Sequence, residues 1–321
     1  MTKSIKYVLK LAVAAAILFL GCGDDWISGG ESAGVNEFLQ YFRENLNSGD
    51  QECSGFTLTV NINPQTGGTT SLSEGICYSL GTVVNITATR KADYVFCGWS
   101  GASTSRDSAI TVIMNNNQTL TANFGQVTTD TFVDTRGDGQ SYRTIRVCNL
   151  TWMAENLNYQ TTDSSWCYDD ETSNCVKYGR LYAWNTAMTA CPAGWRLPDT
   201  LDWNKLVSAA GDISLAGTKL KSTSGWDNRS DGSSGNGTDD FGFSAMPGGL
   251  RMHNAWCSPS EWVDCDEFEF TNIGRQVAWW SATELVTGNV YTRSMTSNGS
   301  DVYDSFTDKN NGRSVRCVRD N

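Results

Sequence analysis

The segment Phe56-Thr57-Leu58-Thr59-Val60-Asn61-Ile62-Asn63 alternates apolar and polar residues with a period of two, which puts Phe56, Leu58, Val60 and Ile62 on one face of a β-strand. The period returns at Val84, Ile86 and Ala88, at Tyr94 and Phe96, at Ile110, Val112 and Met114, and at Leu120, Ala122 and Phe124. Turn-forming clusters at residues 64–68 and at Asn115-Asn116-Asn117 separate these runs. Residues 53–126 are therefore expected to form a small all-β domain, a compact antiparallel sheet with Trp99 beneath it as a core residue.

Further along, residues 131–135 and 141–147 flank Gly137-Asp138-Gly139, a strong hairpin signal. Arg136-Gly137-Asp138 spells an integrin-binding tripeptide, but turn geometry already accounts for its glycine and aspartate. Leu181, Trp184 and Met188 mark one short helix. A second is expected to begin near Asp199, with Leu201, Leu206 and Val207 on its buried face, Asp202 in its first turn and Gly211 as its stop. Gly-, Asn- and Ser-rich stretches surround the short aromatic runs Ala278-Trp279-Trp280-Ser281 and Ser314-Val315-Arg316-Cys317-Val318. Residues 130–321 thus read as an α+β domain with long loops.

Upstream of the first strand, Lys3, Lys6 and Lys10 precede a ten-residue apolar run, residues 11–20, and then Gly21 and Cys22. The run is about half of the roughly 20 residues a spanning helix requires, so residues 1–21 read as a cleaved export signal. Phe19-Leu20-Gly21-Cys22 resembles a bacterial lipobox, with Phe19 where Leu is usual; the resemblance implies cleavage before Cys22 and acylation of its thiol. The alternative is ordinary signal cleavage, which leaves Cys22 a plain secreted cysteine. Several acyl chains would anchor the protein firmly, at about 0.8 kcal/mol per buried methylene. Residues 22–52 would then be a Gly/Ser-rich tether carrying a short helix, capped by Asn36, with Phe38, Leu39, Phe42 and Leu46 on one stripe.

The 321 residues carry a formal charge of −11, and loss of Lys3, Lys6 and Lys10 takes it to −14. With no basic run there is no electrostatic footprint for nucleic acid. The single His253 cannot furnish a histidine zinc site or a two-histidine relay. Beyond Cys22 ten cysteines remain, too many for a reducing compartment. Cys167 and Cys175 are eight apart, as are Cys257 and Cys265, so each pair is a candidate loop staple. A Cys191 to Cys317 bridge would close a loop of about 125 residues, worth about 5 kcal/mol by chain entropy. Cys53, Cys77 and Cys97 fall in the β domain and Cys148 in the next, so complete pairing requires one bridge across the boundary; a free thiol is the alternative.

The order of Gly81-Thr82-Val83, Ile86-Thr87-Ala88, Tyr94-Val95-Phe96, Gly98-Trp99-Ser100-Gly101 and Leu120-Thr121-Ala122-Asn123-Phe124 resembles the divergent internalin-B-type repeat of bacterial surface proteins, which implies a β-grasp-like spacer. Downstream, several motifs follow one another: Asp134-x-Arg136, Gln140-x-Tyr142, residues 151–159 (Thr-Trp-Met-Ala-Glu-Asn-Leu-Asn-Tyr), Tyr178-Gly179-Arg180, residues 191–198, residues 242–245, Trp279-Trp280-Ser281 and Val315-Arg316-Cys317. They resemble the Fibrobacter succinogenes major paralogous domain, with Cys148 where that family usually has Gly. Arg196-Leu197-Pro198, Asp202-Trp203 and Val315-Arg316-Cys317 are also similar to the formylglycine-generating enzymes, which implies a C-type-lectin-like fold. Those oxidases place a reactive cysteine pair just before their last strand, and this chain has no cysteine between Trp280 and Val315.

These readings set the functional expectations. The polar loop holding Asp227, Asp231, Asp239 and Asp240 offers oxygen ligands for calcium but fails the EF-hand template at Arg229 and Thr238, and a plain turn-forming loop explains the same residues. The lectin-like resemblance implies sugar binding in long loops, with Trp226, Trp256 and Trp262 as exposed platforms. Acidic pairs such as Asp239-Asp240 or Asp264-Asp266 could act on a glycoside, but solvated carboxylates are the commoner case. The expectation is a non-catalytic lipoprotein of the cell envelope, lipid-anchored in the outer membrane and facing the periplasm or the surface, that serves surface adhesion or binds a polysaccharide or an envelope protein. No cofactor is expected, with calcium the one candidate. The alternatives are a structural envelope protein without a soluble ligand and an enzyme of the formylglycine-generating or glycosidase kind.

Overall fold

Period-two alternation builds the first half of the fold, as a sandwich of two sheets. The computed structural model describes residues 54–72, 75–137, 139–211, 213–253, 268–286 and 288–321, all within the compact unit Ser54–Asn321. The expected helix at residues 36–46, the lipidation site Cys22, and Cys53 lie outside the described residues. One sheet runs β3 (Ile76–Tyr78), β1 (Phe56–Asn63), β7 (Gln118–Gln126), β5 (Tyr94–Gly101). The other runs β2 (Gly68–Thr70), β4 (Val83–Arg90), β6 (Ala109–Ile113). Leu58, Val60, Phe96, Trp99 and Leu120 from the first pack against Val84, Ile86 and Val112 from the second, and each large side chain so buried contributes about 1.5–3 kcal/mol.

Two features of this module differ from the expectation. β1 and β7 pair in parallel, Val60 opposite Leu120, so the sheet is mixed rather than antiparallel. Among the described residues the module has no helix of its own, so it is not β-grasp-like; the two sheets bury each other's inner apolar faces, and the helix Thr200–Ala209 that packs on the other face of β5 comes from the second half of the chain.

The second half is also mostly β. A four-stranded sheet is ordered β19 (Val318–Asp320), β10 (Leu150–Met153), β9 (Ser141–Val147), β8 (Thr128–Val133). A larger sheet centres on β15 (Gln276–Val286), which pairs with β16 (Asn289–Thr296) and, in parallel, with β13 (Gly248–His253) and β18 (Arg313–Ser314). β14 (Phe268–Ile273), β17 (Tyr303–Asp308) and the two-residue strands β11 (Ser165–Trp166) and β12 (Leu181–Tyr182) complete it. Helices are few and short: α1 (Thr172–Tyr178), α2 (Trp184–Ala190), α3 (Thr200–Ala209) and α4 (Ala216–Leu220).

The expected α+β, C-type-lectin-like domain is therefore overturned. The Gly-, Asn- and Ser-rich stretches that read as loops hold strands of six to eight residues, β13, β14, β16 and β17, and the two-residue strands β11, β12 and β18 leave no periodic trace. Within α3 the Asp199 side chain accepts from the Asp202 amide at 2.8 Å and Asp202 reaches back to the Asp199 amide at 3.1 Å, a capping box that fixes the helix start. Leu206 and Val207 are buried as expected, at 2% and 4% exposure, but Leu201 faces solvent at 64%, and the first-turn Asp202 is buried at 2%. Leu181 lies in β12 and Met188 is exposed, so neither belongs to a buried helical stripe.

β5 joins the two halves. Phe96 faces the sandwich core, whereas Val95 points the other way into a cluster with Trp152, Trp203, Leu206 and Trp279, with Val127 packed against it. A bulge between Phe96 and Gly98 turns Cys97 out to bond Cys148, which sits in the two-residue hairpin loop between β9 and β10. Gly125 is glycine because a Cβ there would lie 2.9 Å from Cys97 Sγ and 3.0 Å from Cys148 Cα. Two further bridges, Cys167–Cys175 and Cys191–Cys317, lie within the second half; Cys77 is also disulfide-bonded, and Cys257 and Cys265 lie outside the described residues.

Candidate functional site

Beyond β10 the chain continues beside the last strands as an extended segment, residues 154–159, held by the Ala154 amide on Arg143 O (2.7 Å) and the Leu157 amide on Val315 O (2.8 Å). Asn156 and Leu157 face the core, while Glu155, Asn158 and Tyr159 face a groove. Two hollows of about 490 and 440 Å³ make up this groove and share Gln140, Tyr142, Asn158, Cys175 and Val176 in their walls. α1 forms one side, pinned at Cys175 by its disulfide to Cys167, and presents Val176 (76% exposed) and Lys177.

The groove is polar and closely braced. The Tyr142 hydroxyl donates to Gln140 Oε1 at 3.2 Å and accepts from the Asn158 amide at 3.0 Å; burial pushes its pKa up to about 12, so it remains a donor. Arg143 Nε meets Glu155 Oε1 at 2.6 Å. Arg136 makes a bidentate pair with Asp134, Nε to Oδ1 at 2.9 Å and Nη2 to Oδ2 at 2.8 Å, and lies over the Tyr159 ring at 4.0 Å. Burial pushes the Asp134 carboxyl upward, and its hydrogen bonds from Arg136 outweigh this and hold it below the usual carboxylate range. Arg180 follows Gly179, whose φ of +77° turns the chain; its amide donates to Leu157 O (3.0 Å) and its Nη2 to Gln160 Oε1 (2.8 Å). Arg180 Nε and Asn158 Oδ1 have no partner among the described protein groups.

A buried network lies beneath the groove. Asn156 Oδ1 accepts from Trp279 Nε1 (2.8 Å) and from Arg316 Nε and Nη2 (3.0 and 2.9 Å), and its Nδ2 donates to Tyr178 O (2.8 Å). Arg316, fully buried, also donates Nη1 to Phe243 O at 2.6 Å. Burial presses its pKa downward, but a guanidinium stays charged at neutral pH.

Residues 145–319, more than half of the chain, match the Fibrobacter succinogenes major domain. The chain belongs to that family. Ahead of the major domain, residues 58–128 match the divergent InlB B-repeat domain. This pairing makes the chain a surface-type protein of the Fibrobacter kind, with a repeat module joined to a major domain. No curated protein and no solved structure matches it.

Of the residues singled out from sequence for binding, those among the described residues do not gather in the major domain. Trp226 is a core residue rather than an exposed platform: 5% exposed, it donates Nε1 to Ala245 O at 2.9 Å, with Lys221 Nζ 4.8 Å from its ring. Its Gly- and Ser-rich surroundings suggested a surface loop, but that loop folds inward around Lys221, whose pKa burial pushes down to about 8. Trp256, Trp262, Asp264 and Asp266 lie outside the described residues. Asp227 pairs with Arg275 (3.3 Å), Asp231 accepts from Ser233 (2.6 Å), Asp239 from Ser244 (2.6 Å), and Asp240 faces Arg90 (3.7 Å). Each carboxylate is thus held by a different partner, and among the described residues no three metal-ligating side chains come together.

Asn158, Arg180 and Lys177, which the groove does bring together, were missed as binding residues. The signal lay in the motifs, since Gln140-x-Tyr142, residues 154–159 and Tyr178-Gly179-Arg180 all line the groove.

Proposed function

We propose that this protein is a non-catalytic lipoprotein of the cell envelope, anchored through Cys22, whose major domain holds a polysaccharide in the groove beside α1. The observation that carries the reading is that motif residues far apart in the chain line one groove, where Arg180 and Asn158 keep unspent bonding capacity. Amides, a guanidinium and a tyrosine ring are the groups that recognise sugar hydroxyls and the apolar face of a pyranose. The lysine-led apolar N-terminus and a chain rich in disulfides support export to an oxidising compartment. The InlB-type module then serves as a stiff spacer between tether and groove.

The test is retention of the oxidised Cys22→Ser chain on insoluble plant polysaccharides, with and without chelator, beside an Asn158→Ala variant. Retention that Asn158→Ala weakens supports groove binding. No retention on any glycan would favour a structural envelope protein instead.

A further inference from the structure

The molecule is acidic overall, −11 in net charge, but the groove has the opposite sign. Arg136, Arg143, Lys177, Arg180 and Arg316 line it, against Asp134, Glu155 and Asp239. Asp134 is paired with Arg136, Glu155 with Arg143, and Asp239 is held by the amide and hydroxyl of Ser244 at 2.7 and 2.6 Å. Lys177, Arg180 and Arg316 are left, and none of them makes an ion pair with a carboxylate among the described residues. Arg316 lies at the floor, fully buried; Lys177 stands free on the rim, its amine 4.7 Å from the Tyr178 ring. Arg180, in the wall of the second hollow, spends one N–H on Gln160, and Asn158 Oδ1, in the wall both hollows share, accepts nothing.

Unpaired cations in a concave, partly desolvated site attract an anion far more strongly than the same charges in open water. A ligand that fits must bring a negative group to Lys177 in one hollow and to Arg180 in the other, with a hydroxyl donor for Asn158 in the wall they share. We propose that the groove selects an acidic saccharide, a uronic-acid unit of a polysaccharide. Carboxylates of neighbouring units meet the Lys177 ammonium in one hollow and the Arg180 guanidinium in the other, and a ring hydroxyl donates to Asn158 Oδ1 in the wall the two hollows share. The inference rests on the glycan-binding reading and narrows its ligand class.

The experiment is a calorimetric titration of the Cys22→Ser chain with a short oligogalacturonate and with a neutral galactose oligomer of the same length. The acidic oligomer should bind in preference to the neutral one and weaken severalfold as salt is raised. Arg180→Gln should weaken it about tenfold or more, the effect of losing a charge-assisted hydrogen bond. Lys177→Gln, at an exposed position that folding does not depend on, should weaken it severalfold. Equal affinity for both oligomers, or acidic binding indifferent to Lys177→Gln and Arg180→Gln, would overturn the charge assignment and leave glycan binding standing. Failure of both oligomers to bind while insoluble glycans retain the chain would likewise overturn this inference alone; failure in both assays would overturn both readings.

Discussion

Removing the bridge between Cys97 and Cys148 tests how the two modules are held together, and its cost can be worked out from the chain. The bond closes a loop of sequence separation 51, which corresponds to about 4 kcal/mol of chain entropy removed from the unfolded state. Cys148 also has φ +57°, at the first position of a two-residue hairpin loop where a II′ turn favours glycine. A side chain in that left-handed conformation costs about 1–2 kcal/mol. This chain accepts backbone strain at Cys148 in exchange for the bond. Cys97→Ala combined with Cys148→Ala should therefore lose about 4 kcal/mol, whereas Cys97→Ala with Cys148→Gly should lose only about 3, because the strain is relieved. Urea unfolding without reductant, followed by tryptophan fluorescence, measures both. Two double variants of equal stability would refute the strain argument, and a loss under about 1 kcal/mol in both would refute the loop-closure argument.

Two further outcomes follow from buried groups. Asp202, 2% exposed, is held by Arg196, Lys205 and the Asp199 amide, and these outweigh the upward push of burial to leave its pKa below the ordinary value. The unfolded state then binds the proton more readily, so the stabilisation is full above the unfolded pKa of about 4 and is lost as pH falls through the folded value. Asp202→Asn should cost about 2–3 kcal/mol at neutral pH and flatten the acid limb of a stability–pH curve. Gly179→Ala would put a Cβ 2.7 Å from Asn156 Cβ and 2.9 Å from Asn156 O at φ +77°; a loss of about 2–3 kcal/mol in thermal unfolding is expected, and a neutral result would show that the turn relaxes.

The sequence was most informative where one face of an element decides its partners. The alternation at Phe56–Asn63, the hairpin around Gly137 and the helix start near Asp199 are each local, and they appear in the structure as a strand, a β8–β9 pair and the start of α3. Three features were not legible. Parallel pairing of β1 with β7 depends on which strands meet across about 60 residues, which alternation does not encode. Strands such as β11, β12 and β18 are too short to show a period and exist only because β15 supplies an edge. Trp226 was misread because small polar neighbours resemble a solvent-facing loop, when here they let the chain close over Lys221 and the indole. The groove was legible only as motifs, since Asn156 and Arg316 are 160 residues apart and nothing local joins them.

That pair also explains why the motif residues need not all touch a ligand. A buried guanidinium without a carboxylate is costly unless every direction it points in is met by a dipole. Around Arg316 the acceptors are Asn156 Oδ1, Phe243 O and Met153 O, with the Phe243 ring 4.3 Å and the Trp279 ring 5.7 Å away. The acceptors come from two parts of the chain, residues 153–156 and Phe243, and Arg316 from a third, so satisfying one cation ties the end of β10, the segment at Phe243 and the last strands into one arrangement. Asn156 then extends the tie through Nδ2 to Tyr178 O, at the end of α1, and the groove lies between these same pieces. The core-facing member of each motif fixes the walls, and its neighbours, Glu155 and Asn158 beside Asn156 and Arg180 just past Tyr178, present the chemistry. The arrangement also leaves a positive charge under the floor with no carboxylate among the described residues to neutralise it, so the same interaction that stiffens the groove biases it toward anions.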